Sequence, residues 1–496
     1  MKTMCVGLVV GLSWFLAIAS DSSAQVSATL THTFPFGANA TTAADGDTIF
    51  MGSGAGIYVL DGSSDEPTFV STANNVKNKL KVGGFVRDLA VSESYLYVAA
   101  NRKGLVRYNR PTGSVEPDTS ASLSDSVEAW SVTYQPVSSR EVVIVGSSTN
   151  LTSGSIEMFW SDSEHGIERK NHVPVGAPVL SLASIIDEQE QMLRVLVGTA
   201  CAGGTESASA VQEFDLDISG GLPNSIPSQP SYSWSVMDGS EPQPTFVEDI
   251  VIDPTYGWVY VACHARGVSR LLLPGLAESI GYGWPLTCGA TGCRFDGLSL
   301  IEPSSGTQLL AVAEGHPFGD GQEWGDCTFF AACDESSHDD TPGEYGVTLY
   351  SVDGLPESVA SISGVDPRIG VPAKICARAI DADEFRIDMA GIQHGMRVLK
   401  ASYNSSEATW DLDEVGALDQ SDGNFPIANV DDVTTLYNSD VAATETGVAA
   451  FNSTYATSGT QLLDQPDDYL NSGGVLLTTM ESGTAPGSTG TFPPMV

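Results

Sequence analysis

Short apolar runs rich in Val, Ile, Leu and Tyr recur along the chain, each closed by Gly, Asp, Ser or Pro. Phe85-Val-Arg-Asp-Leu-Ala-Val91 is followed by a tight turn, then Leu96-Tyr-Val-Ala-Ala100, another turn, and Gly104-Leu-Val-Arg-Tyr108. The phrase returns as Val247-Glu-Asp-Ile-Val-Ile-Asp253, Val259-Tyr-Val-Ala-Cys263 and Gly267-Val-Ser-Arg-Leu271. It returns again as Cys376-Ala-Arg-Ala-Ile-Asp381, Phe385-Arg-Ile-Asp-Met389 and Gly395-Met-Arg-Val-Leu399. This is strand and hairpin grammar. No periodic stretch long enough for a helix interrupts it.

Weaker copies fill the gaps. The second strand of each unit is expected to start near Ile49, Leu96, Val142, Val195, Val259, Leu309 and Phe385. Units of about 45 residues plus loop insertions match the four strands of a propeller blade. A β-helix would need much shorter repeats. The pattern predicts an all-β chain: a seven-bladed β-propeller over about residues 26–416, with a short irregular C-terminal extension. Residues 417–480 read as that extension or as a degenerate extra blade, and 481–496 as a disordered tail. A strand around Ser27 to Phe34 is expected to help close the ring beside the last blade.

The repeat phrase resembles bacterial LVIVD-type propeller repeats and, more loosely, the YVTN and WD-repeat superfamily. The Trp-Asp and Gly-His signatures of true WD repeats are missing. The resemblance implies architecture and not activity.

Outside the repeat, Lys2 precedes an apolar run from Val6 to Ala19, and small residues follow. This reads as a secretory signal peptide over residues 1–24, cleaved after Ala19 or Ala24, with a retained signal anchor as the alternative. The mature chain is expected to be secreted, either extracellular or periplasmic, with no membrane insertion after cleavage. The 22 Lys+Arg stand against 62 Asp+Glu, a net charge of −40. A chain this negative is repelled by nucleic acid and by anionic membranes, so no nucleic-acid partner is expected. A hydrophobic content of 42% separates it from acidic disordered chains.

Propeller geometry places the unusual residues together. The face where each innermost strand starts, and where the turn between second and third strands returns, is called the upper face. Long, varied loops fall there, the usual place for function on a rigid scaffold. The mature cysteines map to it, and Cys288, Cys293, Cys327 and Cys333 are expected to staple the loops of the sixth blade by two disulfides. Pairing 288 with 293 and 327 with 333 is simplest, but three pairings are possible. A Cys/His zinc site is the sharper alternative, with poor spacing for it. Cations collect on the same face: Arg87, Arg102, Lys103, His264, Arg266, His316, Arg378 and His394. They predict a cationic channel mouth. The competing reading is ion pairing between adjacent blades.

Three function classes remain open. The first is a binding protein holding a small anionic ligand, a glycan or a protein partner, with arginines as forked donors. The second is a calcium-dependent propeller hydrolase of lactonase or phytase type. Glu248, Asp249, Asp296 and Glu314 would be Ca2+ ligands, and His264, His316 or His394 the general base. The third is a structural surface protein. No nucleophile elbow and no phosphate-binding glycine loop before a helix is present, which removes those chemistries.

Overall fold

The computed structural model describes most of residues 39–418, leaving out several loops, the longest being 316–344. Beyond them it describes the short strands Val433–Leu436, Glu445–Ala450 and Leu477–Glu481. Among the described residues, seven antiparallel sheets of four or five strands follow one another along the chain. They form a seven-bladed β-propeller. The seven second strands are Thr48–Ser53, Tyr95–Ala99, Arg140–Ser148, Met192–Cys201, Trp258–Ala262, Leu309–Gly315 and Glu384–Gly391. Each begins at or next to the position expected from the repeat, or a few residues before it. The three strands beyond residue 418 pair with one another in a separate sheet.

Blades touch face to face, so both sides of a central strand must be apolar. Tyr95–Ala99 is buried at every residue. The core is accordingly seven clusters, one per blade interface. Leu96, Val98 and Val106 of blade 2 pack on Phe50 and Ile57 of blade 1. Tyr97 and Leu105 of the same blade pack on Val143 and Phe159 of blade 3. The interfaces onward are built the same way. The ring closes where Ile49, Met51 and Leu60 of blade 1 meet Met396 and Val398 of blade 7. Burying a leucine-sized side chain contributes about 1.5–3 kcal/mol, so these seams dominate stability.

No strand exchange closes the ring among the described residues. The outer strand of blade 7 is Thr409–Leu418, its own fourth strand. Ser27–Phe34 lie outside the described residues. Polar hooks reinforce the closing seam instead. Arg386 Nη1 donates to Gly62 O at 2.8 Å and also to Ser64 O, while its Nε donates to Asp388 Oδ1 at 2.9 Å. Arg378 reaches Asp47 at 2.9 Å and the Gly62 carbonyl.

Arginines serve the same purpose elsewhere. Arg107 of blade 2 donates to Ser161 Oγ at 2.8 Å and to the carbonyl of Asp162 at 2.7 Å in blade 3. It also pairs with Asp118 and lies 4.1 Å over the Tyr95 ring. Its counterpart in blade 5, Arg270, donates to Val352 O at 3.2 Å in blade 6 and lies 4.4 Å over Trp258. Interface pairing therefore occupies many of the scarce cations.

Candidate functional site

The register of the innermost strands aligns the seven blades residue by residue. Thr41 faces Gly52, Asp88 faces Ala99, Ser131 faces Gly146 and Ser181 faces Gly198. Asp249 faces Ala262, Gly297 faces Ala313 and Lys374 faces Ala390. Six of these seven residues are polar, Gly297 being the exception, and together they form a ring around the upper part of the channel. Every partner on the second strand is Gly or Ala, because the next blade approaches closely there. A Cβ added to Gly146 or Gly198 would lie 2.3 or 2.5 Å from a methyl of Val179 or Val247.

The ring is stitched from blade to blade. Asp88 Oδ2 accepts the Val132 N–H, and Asp249 Oδ2 accepts the Leu298 N–H, both at 3.0 Å. Ser181 Oγ donates to Val247 O at 2.8 Å. One side chain spans the ring: Lys374 of blade 7 places Nζ 2.7 Å from Asp88 Oδ1 of blade 2 and 4.0 Å from Asp249 Oδ1 of blade 5. Burial raises the Asp249 carboxyl above its ordinary range, with the Lys374 ammonium opposing and Asp88 adding to the rise. Burial pulls the Lys374 ammonium down, but the two carboxylates outweigh it and its pKa is raised. The ammonium therefore stays charged between them.

The residue just before each ring position forms a second circle on the upper side: Ala40, Arg87, Trp130, Leu180, Glu248, Asp296 and Ala373. In five blades the register skips this residue, leaving a β-bulge. A bulge takes a residue out of the ladder. The collar is uneven. On blades 2 to 4 it is cationic and aromatic: the Arg87 guanidinium lies 4.6 Å over Phe85 and 5.1 Å over Trp130. Trp130 packs in turn with Leu180, Ala200 and Phe246, apart from the blade cores. Glu128 pairs with Arg102 at 3.3 Å and accepts the Trp130 Nε1–H at 3.4 Å. Lys103 is exposed at the neighbouring turn. On blades 5 and 6 the collar positions hold Glu248 and Asp296.

Of the cations expected at the mouth, Arg87, Arg102 and Lys103 lie there together. Arg378 lies at the opposite end of its strand: blade 7's innermost strand runs from Pro372 to Asp381, so Arg378 reaches Asp47 near the lower turn. Cys376, expected to open that strand, lies in its middle. His264, Arg266, His316 and His394 lie outside the described residues, as do Cys288, Cys293, Cys327 and Cys333. Cys263 and Cys376 are free thiols. Among the expected Ca2+ ligands, Asp249 accepts backbone N–H groups from Ile250 and Leu298. Glu248 sits one residue before it in the collar. Asp296 and Glu314 are placed by their backbones only, Glu314 opposite Phe295. No group of three or more His, Cys, Asp or Glu placed to hold a metal occurs among the described residues.

Lys374, Trp130 and Phe85 escaped the sequence reading. Trp130 was within reach, since it occupies the unit position of Arg87. Lys374 required the register.

No family model matches the chain, and no curated protein matches it. Among solved structures the chain is similar to Sqt1 of Saccharomyces cerevisiae, at 12% identity and a TM-score of 0.45 over 85% of this chain and 94% of that chain. It is also similar to BBS1N, crystallised in complex with ARL6DN, at 12% identity and a TM-score of 0.43 over 77% and 92%. Hsv2 of Kluyvelomyces marxianus follows at 7% identity and a TM-score of 0.40 over 76% and 97%. Likenesses this distant carry nothing about activity. The propeller is read from the sheets themselves.

Proposed function

We propose that this protein is an exported propeller that works by binding, holding a protein partner on the collar at its upper mouth. The observation that carries the reading is the arc of Arg87, Trp130 and Leu180. Three equivalent positions place a guanidinium stacked on Trp130, and a buried apolar cluster of Trp130 and Leu180 that fixes it, at the level of the mouth on a rigid ring. Aromatic and arginine side chains fixed by packing are the usual anchors of protein interfaces. Arg102 and Lys103 at the rim favour a partner segment that brings carboxylates. Disulfides among Cys288, Cys293, Cys327 and Cys333 would hold the blade 6 loops beside the same mouth. The leader with Lys2 and the Val6–Ala19 run supports export.

A photo-crosslinking amino acid tests this, placed at Lys103 on the upper face or at Tyr256 on the lower turns. Protein secreted by its own host is irradiated in the culture medium. The expected result is a discrete adduct from position 103 and none from position 256. Trp130→Ala and Arg87→Glu should abolish it. Equal adducts from both positions, or an adduct indifferent to both substitutions, would refute the collar as the binding face. The N-terminus of the secreted chain, read by mass spectrometry, should begin after Ala19 or Ala24.

A further inference from the structure

The outer hairpin of blade 7 carries chemistry that the collar does not use. The sequence holds four Asn-X-Ser/Thr triplets, at Asn39, Asn150, Asn404 and Asn452. Such triplets accept N-linked sugars in exported chains. Asn150 and Asn452 lie outside the described residues. Asn39 begins the innermost strand of blade 1, and Thr41, the hydroxyl residue of its triplet, is fully buried in the ring. Asn404 ends the third strand of blade 7, Gly395–Asn404, and pairs with Thr409 across a turn at the lower rim. Residues 405–409 are all exposed.

We propose that Asn404 is a modification site whose Nδ2 carries an N-linked oligosaccharide. The proposal rests on the export reading, because the donor, a lipid-linked oligosaccharide diphosphate, meets only exported chains. A bond forms between Asn404 Nδ2 and C1 of the first sugar, and the bond from C1 to the diphosphate oxygen breaks. The diphosphate leaves on its lipid, and one Nδ2 proton passes to a basic group of the transferase. The turn holds the acceptor amide by its other edge. Ser406 donates to Asn404 Oδ1 through Oγ at 2.7 Å and through its N–H at 3.1 Å. Asn404 Nδ2 donates to no group among the described residues. The hydroxyl that the triplet requires thus sits on the amide, and the nitrogen that takes the sugar is the half left over. The backbone beneath is anchored. Asn404 O accepts the Glu407 N–H at 3.2 Å, and Asp383 O accepts the Tyr403 N–H at 2.9 Å. The Tyr403 ring lies 5.3 Å from that of Trp410. A sugar on Nδ2 therefore displaces no hydrogen bond and leaves the hairpin as it is. One on the innermost strand at Asn39 would crowd the mouth that the collar uses, so that triplet is expected to stay bare.

The hairpin is at the lower rim and the collar at the upper mouth, so the sugar leaves the collar open. The full-length chain secreted by its own host is digested, treated with peptide N-glycosidase in heavy-oxygen water and mapped by mass spectrometry. Position 404 should return as heavy-labelled Asp, and position 39 as unlabelled Asn. Ser406→Ala should abolish the label at 404, whereas Ser406→Thr should keep it, a contrast that a merely structural turn would not give. Asn404→Asp retains the Oδ1 acceptor of the turn. It should therefore be secreted like the wild type, run faster on a gel for want of the sugar, and still give the adduct from position 103. A secreted chain with Asn404 unmodified overturns the proposal and leaves export standing. A label indifferent to Ser406→Ala overturns it too. A chain kept in the cell with its leader attached overturns export, and this site falls with it. Loss of the position 103 adduct in Asn404→Asp would overturn the separation of the two faces.

Discussion

Replacing Lys374 by Met tests whether one side chain holds blades 2, 5 and 7 together across the channel. The ammonium lies 2.7 Å from Asp88 and 4.0 Å from Asp249. At an effective dielectric of about 20, such contacts are worth roughly 6 and 4 kcal/mol before desolvation is subtracted. The Lys374 side chain is 22% exposed against 5% and 12% for the carboxylates, so water screens part of this. Removing one partner of a buried pair usually costs about 3–5 kcal/mol, because the remaining charge is stranded, and partial exposure favours the lower end. A loss of about 3 kcal/mol lowers a urea midpoint by about 1 M at a slope near 3 kcal/mol/M. Tryptophan fluorescence during urea unfolding reads it.

The pH dependence has a defined sign. Burial already raises Asp249 above its ordinary value, and loss of the ammonium raises it further. The folded state then binds a proton more tightly than the unfolded chain. The deficit of the variant should therefore shrink as pH falls through the folded value, above the ordinary carboxylate pKa of about 4. Neutralising the whole triad in Asp88→Asn/Lys374→Met/Asp249→Asn should recover most of the stability, since no charge is then stranded. A Lys374→Met variant as stable as the wild type at neutral pH refutes the reasoning. So does a triple variant weaker than the single one.

Three further outcomes follow from the same geometry. Gly104→Ala should cost about 1–3 kcal/mol in urea unfolding. Its φ is +82° and a Cβ would lie 2.4 Å from the Ala121 carbonyl oxygen. Gly176→Ala, at φ +81° with open space around it, should cost distinctly less. Arg107→Met should lose about 3–5 kcal/mol, because a side chain only 3% exposed bridges two blades, and Arg107→Lys should not restore it without the planar fork. Burial pushes the Cys263 and Cys376 thiols up to about 12 and about 11. Iodoacetamide at pH near 8 should leave both unmodified in the folded protein and alkylate both in urea, as read by peptide mapping. Rapid labelling of either in the folded state would contradict their placement.

The collar shows where sequence reading succeeds. Arg87 and Glu248 were conspicuous because each precedes an Asp in the two clearest copies of the repeat. Trp130 and Leu180 occupy the same circle but sit in blades whose phrase has drifted, so their equivalence was hidden. The ring shows a different failure. Aligning Cys376-Ala-Arg with the Val247-Glu-Asp phrase puts Arg378 level with Asp249, whereas the pairing with Ala390 puts Lys374 there. The slip is an even number of residues. Alternation along a strand has a period of 2, so an even slip leaves every side chain on its proper side and the pattern cannot detect it.

The sequence by itself determined the all-β class, the number of units and the starts of their second strands. Apolar runs punctuated by turn residues are local signals, and strand formation in a stacked sheet obeys them. Tertiary structure alone decided the level at which each blade meets its neighbours. That level depends on contacts between residues hundreds of positions apart, such as Lys374 with Asp88. It separates the aromatic and cationic arc at the mouth from the carboxylate-bearing ring beneath, two environments that the chain's average charge of −40 conceals.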